Sequence, residues 1–179
     1  MKYTFLLFLS LAFAKAYAQQ PVSTPGNVIS DFGKTYEVDN PDFKTDTTAV
    51  FKVIFDVAKA PENPSQRNPY IETMARFLNM QEKAGVPVEN MNIRAAIHGQ
   101  AAYGMLTNEL YKEKFGVDNP NIELLKALKE ANVSLILCGQ TAGARNITKE
   151  RRLEMIDVGL SAMTVLSQSQ MEGYTLIAF

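Results

Sequence analysis

Short apolar runs alternate with amphipathic stretches from residue 49 onward. The run AVFKVIFDVA at 49–58 carries apolar side chains on both faces, which predicts an internal strand. Two further apolar runs follow the same pattern, and two weaker ones come near the end of the chain. These predicted strands lie at 90–99, at 133–139, near 156–158 and over the closing YTLIAF.

The stretches between the strands have helical spacing and helix-start signals. Asn68 is placed as an N-cap with Pro69 at the first helical position, and this helix should end before Gly85. Further helices are predicted over 101–116, from Asn119-Pro120 to Asn132, briefly from Thr148, and from Ser161 to Gly173. Alternating strands and helices predict a mainly parallel sheet of about five strands in a three-layer α/β/α sandwich of flavodoxin-like character.

The first 48 residues have a different composition. Lys2 precedes an apolar run and the small-residue site Ala16-Tyr17-Ala18, which predicts a signal peptide at 1–18 that is cleaved near Ala18. The run is too short to span a bilayer, so we expect a periplasmic or secreted protein with no membrane attachment after cleavage. Residues 19–48 are predicted to form an extended arm, with a possible edge strand at KTYEV, and residues 49–179 one domain.

Charge and motif content exclude several functions. A net charge of −1 with no large basic cluster gives no footprint for nucleic acid or an anionic membrane surface. No cluster of metal ligands occurs at suitable spacing, and GQTAGAR lacks the lysine of a phosphate-binding loop and the spacing of a dinucleotide fold. We therefore expect neither a metal nor a cofactor.

The only cysteine and the only histidine of the chain end two successive predicted strands in similar sequences. His98 lies in IHGQAAYG and Cys138 in LCGQTAGA. Because loops beyond the carboxyl ends of parallel strands form the ligand crevice, the position favours a displayed thiol. If the two strands are neighbours, which the pattern does not determine, both side chains should face one cleft. The neighbouring candidates for ligand binding are Gly99, Gln100, Gly139, Gln140 and Thr141.

Thiol chemistry is the most direct use of this site. A cation or a helix N-terminus can lower the pKa of a cysteine and generate thiolate. Arg145, predicted on the same loop, could supply the charge, and His98 could act as a neighbouring acid or base. Equally open are a solvated Arg145 and a His98 that only bonds a loop backbone.

The same segments resemble a known family. SLILCGQTAGARNITKERRLEMIDVGLSAMTVLSQSQMEGYTLIAF, with RAAIHGQA and NPNIELLKALKEANV upstream, is similar to the DsrE-like proteins (DsrE/DsrF/TusD-like sulfur-relay proteins) over roughly 49–179. The resemblance implies a flavodoxin-like fold and a trimer or hexamer. It also implies that Cys138 accepts sulfane sulfur from a donor protein or a small sulfur compound, holds it as a persulfide and passes it to an acceptor partner, as a carrier more than a turnover enzyme.

Three functions therefore stay open. The first is an exported sulfur carrier or thiol redox protein that uses Cys138, with His98 and Arg145 assisting. The second is a hydrolase or transferase with a Cys-His pair, for which the sequence shows no orienting carboxylate. The third is a non-catalytic oligomeric binding protein whose cysteine is structural.

Overall fold

The computed structural model describes residues 22–179, so the predicted signal peptide at 1–18 lies outside the described residues. The strands are β1 Phe51–Val57, β2 Met91–Ile97, β3 Ser134–Cys138, β4 Asp157–Gly159 and β5 Thr175–Ala178. The α-helices are α1 Pro69–Lys83, α2 Asn108–Phe115, α3 Ile122–Glu130, α4 Gly139–Ala144 and α5 Ala162–Met171. Short 3₁₀ helices cover Val88–Asn90 and Gly99–Met105.

All five strands are parallel and lie in the order β4-β3-β2-β1-β5. The register pairs Ile97 of β2 with Leu137 of β3, so these two strands end side by side at one edge of the sheet. The predicted α/β fold with a parallel sheet of about five strands is confirmed. The strand order brings the two similar junctions next to each other.

Side chains of alternate strand residues pack into two separate clusters, one on each face of the sheet. Val53 and Phe55 belong to the large core, which also contains the buried residues of α1 and α3. Ile54 and Ala96 point to the other face, where Val165 of α5 covers them. The molecule therefore has three layers, with α5 as the helix that packs on the second face.

Two helix starts predicted from capping residues, those of α1 and α5, occur where the sequence places them. The Asn68 side chain accepts hydrogen bonds from the backbone N–H groups of Tyr70 and Ile71, and Pro69 is the first residue of α1. Ser161 likewise accepts from the N–H of Thr164 at the start of α5. These caps satisfy amides that have no partner within the helix.

The predicted helix over 101–116 is wrong, because the segment forms two helices. The chain runs through the 3₁₀ helix Gly99–Met105, and Leu106 is then extended, with ψ at 151°, and bridges Arg152. The hydroxyl of Thr107 accepts from the N–H of Leu110 and starts α2. The long-range bridge explains why helical periodicity alone misses the break.

The brief helix predicted from Thr148 is also wrong, since residues 149–151 form only a turn. The helix of this region is α4, which begins at Gly139 in the segment GQTAGAR predicted as a loop. It is capped by the side chain of Cys138, a residue that is not a usual N-cap. The start of α3 differs slightly as well, because Asn119 accepts from the N–H of Asn121 and the helix begins only at Ile122.

The described part of the arm, residues 22–48, packs on α1 and adds no strand to the sheet. KTYEV contributes one antiparallel bridge, from Thr35 to Thr24, so the possible edge strand is wrong. The fully buried Asn79 of α1 accepts from the N–H of Ile29 and donates to three arm carbonyls. Among residues 22–179, no helix has the length and apolar character needed to cross a membrane.

Candidate functional site

Cys138 is the last residue of β3 and the N-cap of α4. Its sulfur accepts the N–H of Thr141 at 3.4 Å. Ala96 and Ile136 are partners in the register of β2 and β3, and both pack on the α5 face. Because successive side chains alternate between faces, Cys138 also faces α5. The thiol therefore lies between the first turns of α4 and α5.

The thiol is less accessible than its position at a strand end indicates. Cys138 is only 5% exposed, so the expectation of a displayed sulfur is wrong. The segment 159–162, which links β4 to α5, packs over this edge. A Cβ on Gly139 would lie 2.7 Å from the carbonyl oxygen of Gly159, and the Gln140 side chain donates to the carbonyl of Leu160. The N–H of Ala162, at the end of this segment, also donates to the Cys138 sulfur, so the segment helps to bury the thiol.

The surroundings of Cys138 favour the thiolate. Burial raises the pKa of the Cys138 thiol, but hydrogen bonds from the hydroxyl and amide of Thr141 and from the amides of Ala162 and Gln140 outweigh burial and lower that pKa below its ordinary value. Donors directed at a sulfur stabilise its negative form. The residue is thus a buried thiol whose hydrogen-bond partners suit an anion.

His98 follows the end of β2 and has a carboxylate partner that the sequence did not reveal. Its Nε2 lies 2.7 Å from Oδ1 of Asp56, a residue of the neighbouring strand β1. His98 has extended backbone angles, so it continues the alternation of β2 and faces the same side as Cys138. No hydrogen bond joins His98 to the Cys138 sulfur among the described residues. The two side chains share an edge of the sheet without a hydrogen bond between them.

Arg145, the C-cap of α4, points away from the sulfur. Its guanidinium donates to Oε1 of Gln100 at 3.4 Å and lies 4.4 Å from the ring centroid of Tyr103. The groups that lower the pKa of Cys138 are hydrogen-bond donors, and the Arg145 charge is not among them. The structure therefore brings Arg145 together with Gln100 and separates it from the thiol.

The two glycines of the similar junctions serve close backbone packing. Gly99 has φ at +52°, and a Cβ there would lie 2.7 Å from the carbonyl oxygen of Ala58. This left-handed conformation and the close approach both favour glycine. In each junction the residue before glycine is an N-cap, with His98 before the 3₁₀ helix and Cys138 before α4. The similar sequences therefore share a glycine after an N-cap, although Gly99 is left-handed and begins a 3₁₀ helix whereas Gly139 begins an α-helix.

A separate cavity of about 360 Å³ lies beside this edge, between the loop after β1 and the 3₁₀ helix. Gln100, Tyr103 and Tyr111 line it, whereas Cys138 and His98 do not. Within residues 22–179, no group of three or more His, Cys, Asp or Glu side chains could hold a metal ion.

Comparison with known proteins supplies the family. The model of the DsrE/DsrF-like family matches residues 52–179, well over half of the chain. No curated protein matches it. Among solved structures, the ychN protein from E. coli aligns with a TM-score of 0.53 at 17% identity, covering 72% of this chain and 99% of that one. A protein of unknown function, MTH1491 from Methanobacterium thermoautotrophicum, aligns with a TM-score of 0.48 at 16% identity and the same coverages.

At 17% identity, the likeness to the ychN protein shows the fold alone. The family match adds the sequence signal that the structural likeness lacks, and it includes both the His98 and the Cys138 junctions. The chain therefore belongs to the DsrE/DsrF-like family, which supports in general terms a role in sulfur relay or thiol redox chemistry.

Proposed function

We propose that this protein is an exported sulfur carrier in which Cys138 accepts a sulfane sulfur and holds it as a persulfide. One observation carries the proposal. The sulfur of Cys138 lies at the carboxyl edge of the sheet, and donors from Thr141, Gln140 and Ala162 lower its pKa. A thiolate is the nucleophile that such a transfer requires.

The transfer balances without an added oxidant or reductant. The thiolate of Cys138 attacks the terminal sulfur of a donor persulfide, a new S–S bond forms, and the S–S bond of the donor breaks. The donor leaves as a thiolate, and the proton of the donor persulfide remains on the transferred sulfur. With thiosulfate as donor, sulfite leaves and Cys138 carries the persulfide anion.

The covering segment limits the form of the donor. Because Cys138 is 5% exposed beneath residues 159–162, a small sulfur compound fits the site better than a bulky protein thiol unless that segment moves. His98 and its Asp56 partner lie at the same edge. In this proposal they serve as a nearby acid or base for the incoming donor.

Mass spectrometry of the intact protein after incubation with polysulfide or thiosulfate tests the proposal. We expect the mass of one added sulfur that is reversed by dithiothreitol and lost in Cys138→Ser. That variant is an informative control because the chain has no other cysteine. Failure to add sulfur to the folded, monodisperse protein would count against a carrier, and slow alkylation of native Cys138 would favour a structural cysteine.

Export and self-association are part of the same proposal. The signal-peptide pattern at 1–18 supports a periplasmic or secreted location, which N-terminal sequencing of protein recovered from its source cells would test. Exposed apolar side chains on and beside α5 support a trimer or hexamer, notably Leu160, Met163 and Met171. Light scattering should show an oligomer in the wild type that Met163→Glu dissociates, and a monomer at all concentrations would refute it.

The Asp56–His98 pair favours a second candidate, a hydrolase or transferase with a Cys-His pair. A carboxylate that orients a histidine beside a nucleophile is the arrangement that acyl transfer uses. In that case Asp56→Asn and alkylation of Cys138 would each abolish turnover of a thioester or activated ester substrate. Turnover that survives alkylation would eliminate this candidate and leave the carrier unaffected.

A further inference from the structure

A second cavity, of about 270 Å³, lies between the 3₁₀ helix Gly99–Met105, α2 and the segment after α4. Three cationic side chains and one carboxylate line it together with apolar residues. The cationic residues are Lys114, Arg145 and Arg151, the carboxylate is Glu113, and the remainder are Tyr103, Leu106 and Leu110. Positive charge therefore predominates in a concave site.

Lys114 and Arg145 are held close together, and neither they nor Arg151 have a carboxylate partner among the described residues. Within residues 22–179, the ion pairs involve other side chains and none of these three. Lys114 Nζ lies 4.3 Å and Arg145 Cζ 4.4 Å from the centroid of the same Tyr103 ring. Two cations on one ring are at most about 9 Å apart, which is within the screening length of roughly 10 Å at 0.1 M salt. Their repulsion is a cost that a bound anion would relieve.

Arg151 likewise has a side-chain donor that lacks an acceptor. Its Nε is buried and has no hydrogen-bond partner among the described residues. Its backbone is fixed, because the Arg151 carbonyl accepts the N–H of Thr107 at the start of α2. A buried donor without an acceptor is destabilising, and the residue that carries it also lines the cavity.

We propose that this cavity binds a small tetrahedral oxyanion of the sulfate, phosphate or thiosulfate class. Guanidinium groups match the oxygen geometry of such anions, and a lysine adds a point charge. Leu106, Leu110 and the Tyr103 ring limit the space available to solvent. The site is separate from the thiol, since Cys138 and Arg145 flank opposite ends of α4, whose six residues span about 9 Å.

Isothermal titration of the purified protein with sulfate, phosphate and thiosulfate, each in a low-salt buffer, tests this assignment. We expect saturable binding of one anion per chain for at least one of the three. Lys114→Gln and Arg151→Gln should each weaken it about tenfold or more, the loss of a charge-assisted hydrogen bond. Lys112→Gln is the matched control, because Lys112 lies on the same helix and pairs with Asp118 outside the cavity.

The outcomes separate this site from the proposed carrier function. Cys138→Ser should bind the anion as the wild type does, so loss of sulfur loading and loss of anion binding are independent results. Lys114 is exposed, so its variant keeps the test valid even where Arg151→Gln does not fold. Absence of binding for all three anions, or equal affinities in Lys114→Gln and Lys112→Gln, would overturn the assignment.

Discussion

Gly139→Ala and Gly143→Ala add the same methyl group to the same short helix in opposite surroundings. At Gly139 a Cβ would lie 2.7 Å and 3.1 Å from the backbone carbonyl oxygens of Gly159 and Leu160. At Gly143 nothing lies within 4 Å of the added atom. Because backbone carbonyls cannot rotate aside as a flexible side chain can, only Gly139→Ala requires α4 to shift.

The two substitutions should change stability in opposite directions. Overpacking against a fixed neighbour costs about 1–3 kcal/mol, and the helix-propensity gain of alanine offsets part of it at the first helical position. We expect Gly139→Ala to lose about 1–2 kcal/mol. Gly143→Ala, with free space around it, should gain about 0.5–1 kcal/mol. At roughly 2–4 °C per kcal/mol, the two melting temperatures should differ by about 3–12 °C.

The displacement of α4 in Gly139→Ala should also change the reactivity of the Cys138 thiol. A displaced Gly139 moves the first turn of α4 and weakens the 3.4 Å hydrogen bond from the N–H of Thr141 to the Cys138 sulfur. Less thiolate then forms at neutral pH, so Gly139→Ala should react more slowly with iodoacetamide. Gly143→Ala should react at the wild-type rate, because α4 keeps its place.

Urea denaturation and iodoacetamide kinetics on the two purified variants measure both effects. Equal stabilities, or equal alkylation rates despite a stability difference, would refute the link between the packing of Gly139 and the reactivity of Cys138. Equal stabilities would mean that residues 159–162 move aside at no cost in stability. Equal alkylation rates would mean that the amides of α4 do not stabilise the thiolate.

Three further predictions concern the same interactions and the arm. Thr141→Val removes the hydroxyl that lowers the pKa of Cys138, so the alkylation profile should move to higher pH, and an unchanged profile would contradict that cause. Because the folded-state pKa of Cys138 lies below its unfolded value, thiolate stabilisation is lost as pH falls through the folded pKa. The stability advantage of wild type over Cys138→Ala should therefore grow as pH rises toward the unfolded pKa, which urea titrations at several pH values would show. Asn79→Ala removes four hydrogen bonds to the arm and should weaken the docking of the arm by about 2–4 kcal/mol. Limited proteolysis should then cleave faster within residues 22–48, and an unchanged cleavage rate would contradict this prediction.

Local signals in the sequence were sufficient for much of the fold. The caps at Asn68 and Ser161 and the apolar runs of the strands depend on neighbouring residues, so the pattern predicts them directly. The strand-terminal position of Cys138 follows from the same pattern. The break at Leu106 was missed because its cause is a bridge to Arg152, which lies far along the chain.

The properties of the site were decided by contacts between distant segments. The strand order places Asp56 beside His98, although 42 residues separate them in the chain. The segment 159–162 packs at the edge where Cys138 is buried. The direction of Arg145 depends on α4, a helix in a segment that the sequence pattern predicts as a loop. The sequence determined which residues lie at the carboxyl edge of the sheet. Only the tertiary structure determined which of them interact, because burial and hydrogen bonding at that edge depend on segments that periodicity cannot relate to one another.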